Sequence, residues 1–165
     1  MILLVVEGES DRIFFEYVRD VVWQQSPDQV KITDSRGIDI MLQRTLPDAI
    51  KLLKLKQGLC DKVIAVFDWD EMHESHGKKT RIERLQELLQ MHPRVGGVPV
   101  RENLEDLIRS CLDQTCRVKF EELKHKSKLA AVKWAIKQDL DQSQLKARLT
   151  DLQRSLQCQI LRDFV

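Results

Sequence analysis

The chain has 165 residues, of which 42% are hydrophobic, 32% charged and 5% aromatic, and its 27 Lys and Arg nearly balance its 26 Asp and Glu. This composition argues against a disordered or collagen-like chain and predicts one globular domain that folds without disulfides or a structural metal. Because the net charge is only +1, binding to nucleic acid or a membrane by bulk charge is excluded, and any nucleic-acid site must be local.

Two further features bear on where the protein works. No apolar run reaches the length of a membrane span. The first apolar run, 2–6, is short and lacks the preceding basic residues that are typical of a signal peptide. We therefore expect a cytoplasmic protein without a membrane partner. The four cysteines form no Cys-x-x-Cys pair, which argues against a zinc ribbon and a disulfide framework and predicts free thiols.

Strand-like and helix-like segments alternate along the chain. Continuous apolar runs at 2–6 and 62–67 are typical of parallel strands buried on both faces, and shorter strands are expected at 30–33 and 96–100. Apolar residues at helical spacing predict helices from Ser10 to Val22, over 38–56 with an interruption at Pro47, and over 82–91. A polar loop is expected at 72–79.

Three more helices are expected after the last strand. Asn103 caps the first of them, and the others run over about 127–138 and 142–157. Because crossover helices join parallel strands, this order predicts an α/β fold with an open, mainly parallel, four-stranded Rossmann-like sheet flanked by helices. We expect residues 1–112 to form this core and residues 113–165 to form a C-terminal helical extension packed on it.

Acidic residues follow the two strongest strands. Glu7 comes directly after the first, Asp11 lies four residues later, and Asp68 and Asp70 come at the end of the third. Ligands bind beyond the carboxyl ends of the strands in such sheets, so these acids are expected to be neighbours, with Asp68 and Asp70 projecting on the same side of an extended chain. Clustered carboxylates need a counter-charge, and their oxygens favour Mg²⁺ or Mn²⁺. The alternative is that they are solvated or cap helices.

These motifs resemble the TOPRIM domain. Val5-Val6-Glu7-Gly8-Glu9-Ser10-Asp11 is similar to its strand-one glutamate motif, and Phe67-Asp68-Trp69-Asp70 is similar to its later Asp-x-Asp motif. That domain occurs in topoisomerases, bacterial primases, small ribosomal-RNA maturases, recombination mediators and the overcoming-lysogenization-defect nucleases. The resemblance covers about residues 1–112 and implies a TOPRIM-type sheet with a metal-dependent phosphodiester chemistry.

The resemblance also implies roles for individual residues. Glu7 would be a general acid/base or metal ligand, and Asp68 and Asp70 would hold Mg²⁺. The overcoming-lysogenization-defect branch, which the chain resembles most, places a further metal-binding acid at the position of Asp11. More weakly, that branch suggests a metal-binding Glu105 at a helix start and a catalytic Lys128 opening a later helix. Helix stabilisation and simple solvation are the alternatives for these last two.

Basic residues offer possible contacts to substrate. Lys78, Lys79 and Arg81 directly follow the Asp-x-Asp loop and could grip a nucleic-acid backbone, and Lys126 lies in a basic segment, 117–137, that also contains Trp134. A solvated helix face would explain the same residues.

Three functions are compatible with these residues. The first is a nuclease that uses Mg²⁺ or Mn²⁺ to hydrolyse DNA or RNA, with one or two metal ions held by the acids. The second is a metal-binding module that acts as a nucleic-acid-binding or partner-dependent subunit, for which the stripe Leu145, Leu149, Leu152 and Leu156 could serve as a docking face or homodimer seam. The third, and least favoured, is a phosphatase with Asp68 as nucleophile.

Overall fold

The centre of the molecule is a parallel sheet. The structure is a computed structural model that describes residues 1–55, 58–73, 75–76, 79–100 and 103–157. The strands of this part are β1 (Ile2–Val6), β2 (Val30–Asp34), β3 (Lys62–Asp68), β4 (Ser75–His76), β5 (Lys79–Thr80) and β6 (Val95–Val100). The main sheet has the order β2-β1-β3-β6, and each neighbouring pair is parallel. The predicted open four-stranded α/β sheet is therefore confirmed, and β4 and β5 form a separate antiparallel pair.

Helices cover both faces of this sheet. They are α1 (Glu9–Tyr17), α2 (Ile38–Ile40), α3 (Leu46–Lys54), α4 (Arg81–Gln90), α5 (Leu104–Ser110), α6 (Gln114–Lys124), α7 (Lys128–Ala135), α8 (Gln142–Arg148) and α9 (Thr150–Gln157). Alternate strand residues face opposite layers: Leu4 and Val6 pack in one core with α1 and α5 to α9, whereas Leu3 and Val5 pack in the other with α2 to α4. This alternation explains why the central strands are apolar throughout.

Several helices begin at side-chain caps. Asn103 accepts a hydrogen bond from the backbone amide of Asp106 at 2.9 Å, as its position before α5 predicted. Thr80 and Glu83 form a reciprocal capping box at the start of α4, in which the Thr80 amide donates to the Glu83 carboxylate at 2.7 Å. These caps fix where α4 and α5 begin, and both helices begin at the carboxyl edge of the sheet.

Two of the predicted helices contain π-helical segments, whose turns are wider than those of an α-helix. After α1 ends at Tyr17, the chain continues without a break as a π-helical segment, Val18–Val22. A second π-helical segment, Met41–Thr45, joins α2 to α3, and Pro47 lies in the first turn of α3. Because first-turn amides have no partner within their own helix, the missing amide of Pro47 costs little there. The predicted interruption thus takes the form of a wide turn before the proline.

Other boundaries differ from the prediction. Helix α6 was not predicted, because only Phe120 of its residues is fully buried and it presents no strong apolar stripe. The single helix expected over 142–157 is divided at Leu149 into α8 and α9. The loop expected over 72–79 contains the end of a 3₁₀ turn, Trp69–His73, and the short β4–β5 pair.

The C-terminal helices contribute to the main core. Phe120, Leu145, Leu149 and Leu152 are buried together with strand residues such as Ile64, so the leucine stripe packs inside the molecule. The side chain of Leu156 lies outside what the structure describes. Within the described ranges, no helix has both the length and the apolar character needed to span a membrane.

Candidate functional site

Glu7 is held at the carboxyl end of β1. Its carboxylate oxygen Oε1 accepts a hydrogen bond of 2.8 Å from the backbone amide of Asp68, which ends the neighbouring strand β3. Its backbone carbonyl accepts a second bond of 2.7 Å from the amide of Gly37, in the turn after β2. The structure therefore joins the ends of three parallel strands at Glu7, where the sequence placed the site.

Asp11 lies in the first turn of α1 and faces the same edge. Its Oδ2 accepts a 2.8 Å hydrogen bond from the backbone amide of Gly8, which closes the turn between Glu7 and the helix. This bond supports the alternative that Asp11 stabilises its helix start. Asp11 also lines two depressions in the surface together with Glu7, so both functions are compatible with its position.

Asp68 and Asp70 have different surroundings. Asp68 is the last residue of β3 and lines a narrow depression together with Glu7 and Asp11. Asp70 follows in the 3₁₀ turn and is exposed to solvent. The prediction that the two carboxylates project on the same side assumed an extended chain through residue 70, and that assumption does not hold because the strand ends at Asp68.

A lysine supplies positive charge to this acidic edge. Lys128 opens α7, and its Nζ lies 3.1 Å from Oε1 of Glu105, whose side chain is 17% exposed. Burial lowers the pKa of the Lys128 ammonium, but the charges of Asp11, Glu105 and Asp68 together raise it above its usual value. Lys128 thus remains protonated at neutral pH, and the fold brings it to the carboxylates from a helix some 120 residues after β1 in the chain.

Glu7, Asp11 and Lys128 line an open cleft of about 630 Å³. Its lining comprises Glu7, Gly8, Asp11, Arg36, Gly37, Ile38, Asp39, Ile40, Arg81 and Lys128. In the parts of the chain that the structure describes, no three His, Cys, Asp or Glu side chains converge closely enough to hold a metal ion. The donor set nevertheless fits Mg²⁺ or Mn²⁺ in its chemistry, since Glu7, Asp11 and Asp68 offer only hard carboxylate oxygens at one edge.

The predicted substrate-binding residues that the structure describes differ in their partners and exposure. Arg81 is 11% exposed and its guanidinium makes two hydrogen bonds to Asp39, at 3.0 and 3.1 Å, on the wall of the cleft. Lys79 forms an ion pair with Glu87, and this contact is the largest of those that lower the pKa of the Glu87 carboxyl. Lys126 is exposed in the turn before α7. Lys78 lies outside the described residues.

Two cleft residues were missed from the sequence. Asp39 and Arg36 both follow β2, at the same edge as Glu7 and Asp68. The strand-end rule that selected Glu7 and Asp68 could have selected them too, because a strand was predicted at 30–33. The pairing of Asp39 with Arg81, 42 positions away, had no sequence signal.

One solved structure has a similar architecture. No family model matches the chain, and no curated protein matches it. Its structure is similar to that of the C-terminal region of the Burkholderia pseudomallei OLD protein, with a TM-score of 0.52 at 11% identity over 94% of this chain and 98% of that chain. It also aligns with the C-terminal region of the Xanthomonas campestris pv. campestris OLD protein, with a TM-score of 0.41 at 15% identity over 98% of this chain and 87% of that chain.

The first of these likenesses establishes the fold. The C-terminal regions of OLD proteins carry the TOPRIM domain, so the TOPRIM-like fold that the two sequence motifs indicated is confirmed. The OLD match extends over nearly the whole chain, whereas the motif resemblance was limited to about residues 1–112. What the cleft does chemically is a separate question.

Proposed function

We propose that the chain is a TOPRIM-type nuclease module that hydrolyses phosphodiester bonds of DNA or RNA with Mg²⁺ or Mn²⁺. The observation that carries this proposal is the meeting of Glu7, Asp11 and Asp68 at the carboxyl edge of the sheet, beside the ammonium of Lys128. The shared fold with an OLD C-terminal region supports it at the level of architecture.

The charge balance of the edge favours a divalent cation. Lys128 interacts with Asp11, Glu105 and Asp68, and Glu7 is hydrogen-bonded to the end of the same strand as Asp68. The ammonium of Lys128 and the exposed guanidinium of Arg36 are fewer charges than the four carboxylates of this edge. Crowded like charges destabilise each other unless a further cation or a proton joins them. In our proposal Asp11, Asp68, Asp70 and Glu105 would supply the oxygen ligands, and Glu7 lies beside them as the proton acceptor.

Each residue has a distinct task in this proposal. Glu7, oriented by the Asp68 amide, accepts a proton from the attacking water. Lys128 neutralises negative charge that develops on the phosphate during hydrolysis. When bound, the cation supplies Lewis-acid polarisation of the phosphate.

A second candidate function has one observation in its favour. Because the described carboxylates do not converge on a three-ligand geometry, the module could bind nucleic acid or a partner subunit without cleaving. In that case the cleft would still bind phosphate through its cations, and no phosphodiester bond would be cleaved when metal is added.

A cleavage assay tests the proposal. Labelled single- and double-stranded DNA and RNA are incubated with Mg²⁺ or Mn²⁺ and the wild type, Glu7→Gln or Asp70→Asn. Asp28→Asn is the control, because Asp28 is exposed in the turn before β2, at the opposite edge of the sheet. We expect wild type and Asp28→Asn to cleave, and Glu7→Gln to be slower by about 100-fold or more. Equal cleavage by wild type and Glu7→Gln, or none by the wild type on any substrate, would refute it.

A further inference from the structure

Arg36 is a third cation of the cleft, and it differs from the other two. It lies in the turn after β2, is exposed, and lines the cleft together with Glu7 and Lys128. Arg81 is paired with Asp39 and Lys128 with Glu105. Among the described residues, by contrast, no side chain forms an ion pair or hydrogen bond with the guanidinium of Arg36. Its charge is therefore available to a ligand that enters the cleft.

The backbone of Arg36 is held in a conformation that favours glycine. Its φ is +62°, in the left-handed region that non-glycine residues seldom adopt. Hydrogen bonds on both sides fix it there: the Ser35 amide donates to the Val6 carbonyl at 3.1 Å, and the Gly37 amide donates to the Glu7 carbonyl at 2.7 Å. The turn thus anchors Arg36 directly to the strand end that carries Glu7.

The unfavourable backbone conformation of Arg36 at the wall of the cleft points to a functional role for its side chain. Glycine at position 36 would adopt this backbone without the steric cost of a Cβ, so an arginine at this position is conformationally unfavourable. Its side chain forms no hydrogen bond or ion pair with the described residues that would offset that cost. A favourable contact with a bound ligand would offset the cost of this backbone conformation.

The ligand is identified by charge and geometry. A guanidinium presents a planar fork of N–H donors that matches phosphate, and Arg36 lies beside carboxylates that would otherwise repel a polyanion. We propose that Arg36 binds a backbone phosphate of the nucleic-acid substrate, adjacent to the phosphodiester bond at Glu7. This inference rests on the proposed function, whose substrate contact it specifies. Such a contact positions the strand and carries no base information.

The test measures binding separately from cleavage. Fluorescence anisotropy follows a fluorescein-labelled single-stranded DNA and an RNA of the same sequence, in Ca²⁺ buffer, over roughly 50–200 mM NaCl. The variants are Arg36→Gly, which removes both the charge and the strain, and Arg36→Lys, which keeps the charge. Gln24→Gly is the matched control, because Gln24 is also exposed with a φ of +53° but lies in the loop after the π-helical segment Val18–Val22, outside the lining of the cleft.

The expected result separates binding from stability. Arg36→Gly should bind at least one of the two strands about tenfold more weakly, with a salt dependence reduced by about one phosphate contact. Its thermal midpoint should be no lower than that of the wild type, and Gln24→Gly should bind as the wild type does. Arg36→Lys should keep the salt dependence and lose only part of the affinity.

Three results would overturn the inference. They are unchanged binding by Arg36→Gly, a loss of binding that is accompanied by a lower thermal midpoint, and no binding of either strand by the wild type. Cleavage in Mg²⁺ is measured in parallel with the same strands. If the wild type binds through Arg36 but does not cleave, the nuclease proposal is refuted and the phosphate contact is supported. If the wild type cleaves but Arg36→Gly binds equally well, the nuclease proposal is supported and the phosphate contact is refuted.

Discussion

The ion pair between Lys128 and Glu105 yields the most quantitative prediction. Replacing Lys128 by Met keeps an unbranched apolar side chain of similar length but removes the ammonium that interacts with Glu105, Asp11 and Asp68. The three carboxylates then lose the favourable charge that Lys128 supplies. We expect Lys128→Met to lower the free energy of unfolding in metal-free buffer at neutral pH.

The size of the loss follows from the exposure of the pair. Exposed ion pairs contribute about 0.2–1 kcal/mol, and removing one partner of a buried pair costs about 3–5 kcal/mol. Because Lys128 is 43% exposed and Glu105 is 17% exposed, their contribution should be about 1–2 kcal/mol. Lys128 is also the first residue of α7, where a positive charge opposes the helix dipole, so Met regains about 0.3–0.5 kcal/mol. The net loss should be about 1 kcal/mol.

Urea denaturation in EDTA measures this loss, and a double-mutant cycle with Glu105→Gln isolates the pair. Lys133→Met is the matched control, since Lys133 is exposed on the same helix and forms no ion pair within the described residues. It should change stability by less than about 0.5 kcal/mol. The reasoning is refuted if the two lysine variants lose the same stability or if the coupling between Lys128 and Glu105 is zero.

Three other predictions concern stability. Because folding raises the pKa of Lys128, the stability that its charge contributes is complete below the ordinary lysine pKa of about 10.4. This stability is lost as the pH rises through the higher pKa of the folded state. The urea midpoints of wild type and Lys128→Met should therefore converge above about pH 10.4. Arg81→Lys, which cannot keep both hydrogen bonds to Asp39, should lose about 1–2 kcal/mol in urea, and a loss under 0.5 kcal/mol would contradict that role. Phe120→Ala should lose about 3–5 kcal/mol in a single transition; separate unfolding of the C-terminal helices would argue against a shared core.

The sheet and its acidic edge could be predicted because each strand carries its own signal. Residues 2–6, before Glu7, and residues 63–67, before Asp68, are apolar at every position, as strands buried on both faces require. Once two such strands are parallel, their carboxyl ends must lie at one edge, so the proximity of Glu7 to Asp68 followed from topology.

The features that were missed depend on contacts remote in sequence or on local backbone strain. The sequence around Phe120 contains one buried residue, and α6 forms because that residue reaches the core shared with α1 and α7. The left-handed backbone of Arg36 has no sequence marker, since arginine is not a residue that prefers it. Likewise, the exposed position of Asp70 depends on where β3 ends, and strand ends are poorly encoded locally.

Metal binding tests the central claim most directly, because it requires no knowledge of the substrate. Electron paramagnetic resonance measures the free Mn²⁺ that remains when the protein is titrated, for wild type, Asp68→Asn and the distant control Asp28→Asn. The proposal predicts that wild type and Asp28→Asn remove free Mn²⁺ from solution and that Asp68→Asn binds it at least about tenfold more weakly. Wild-type protein that leaves the Mn²⁺ signal unchanged, or an Asp68→Asn variant that binds equally well, would contradict a metal site at this edge of the sheet.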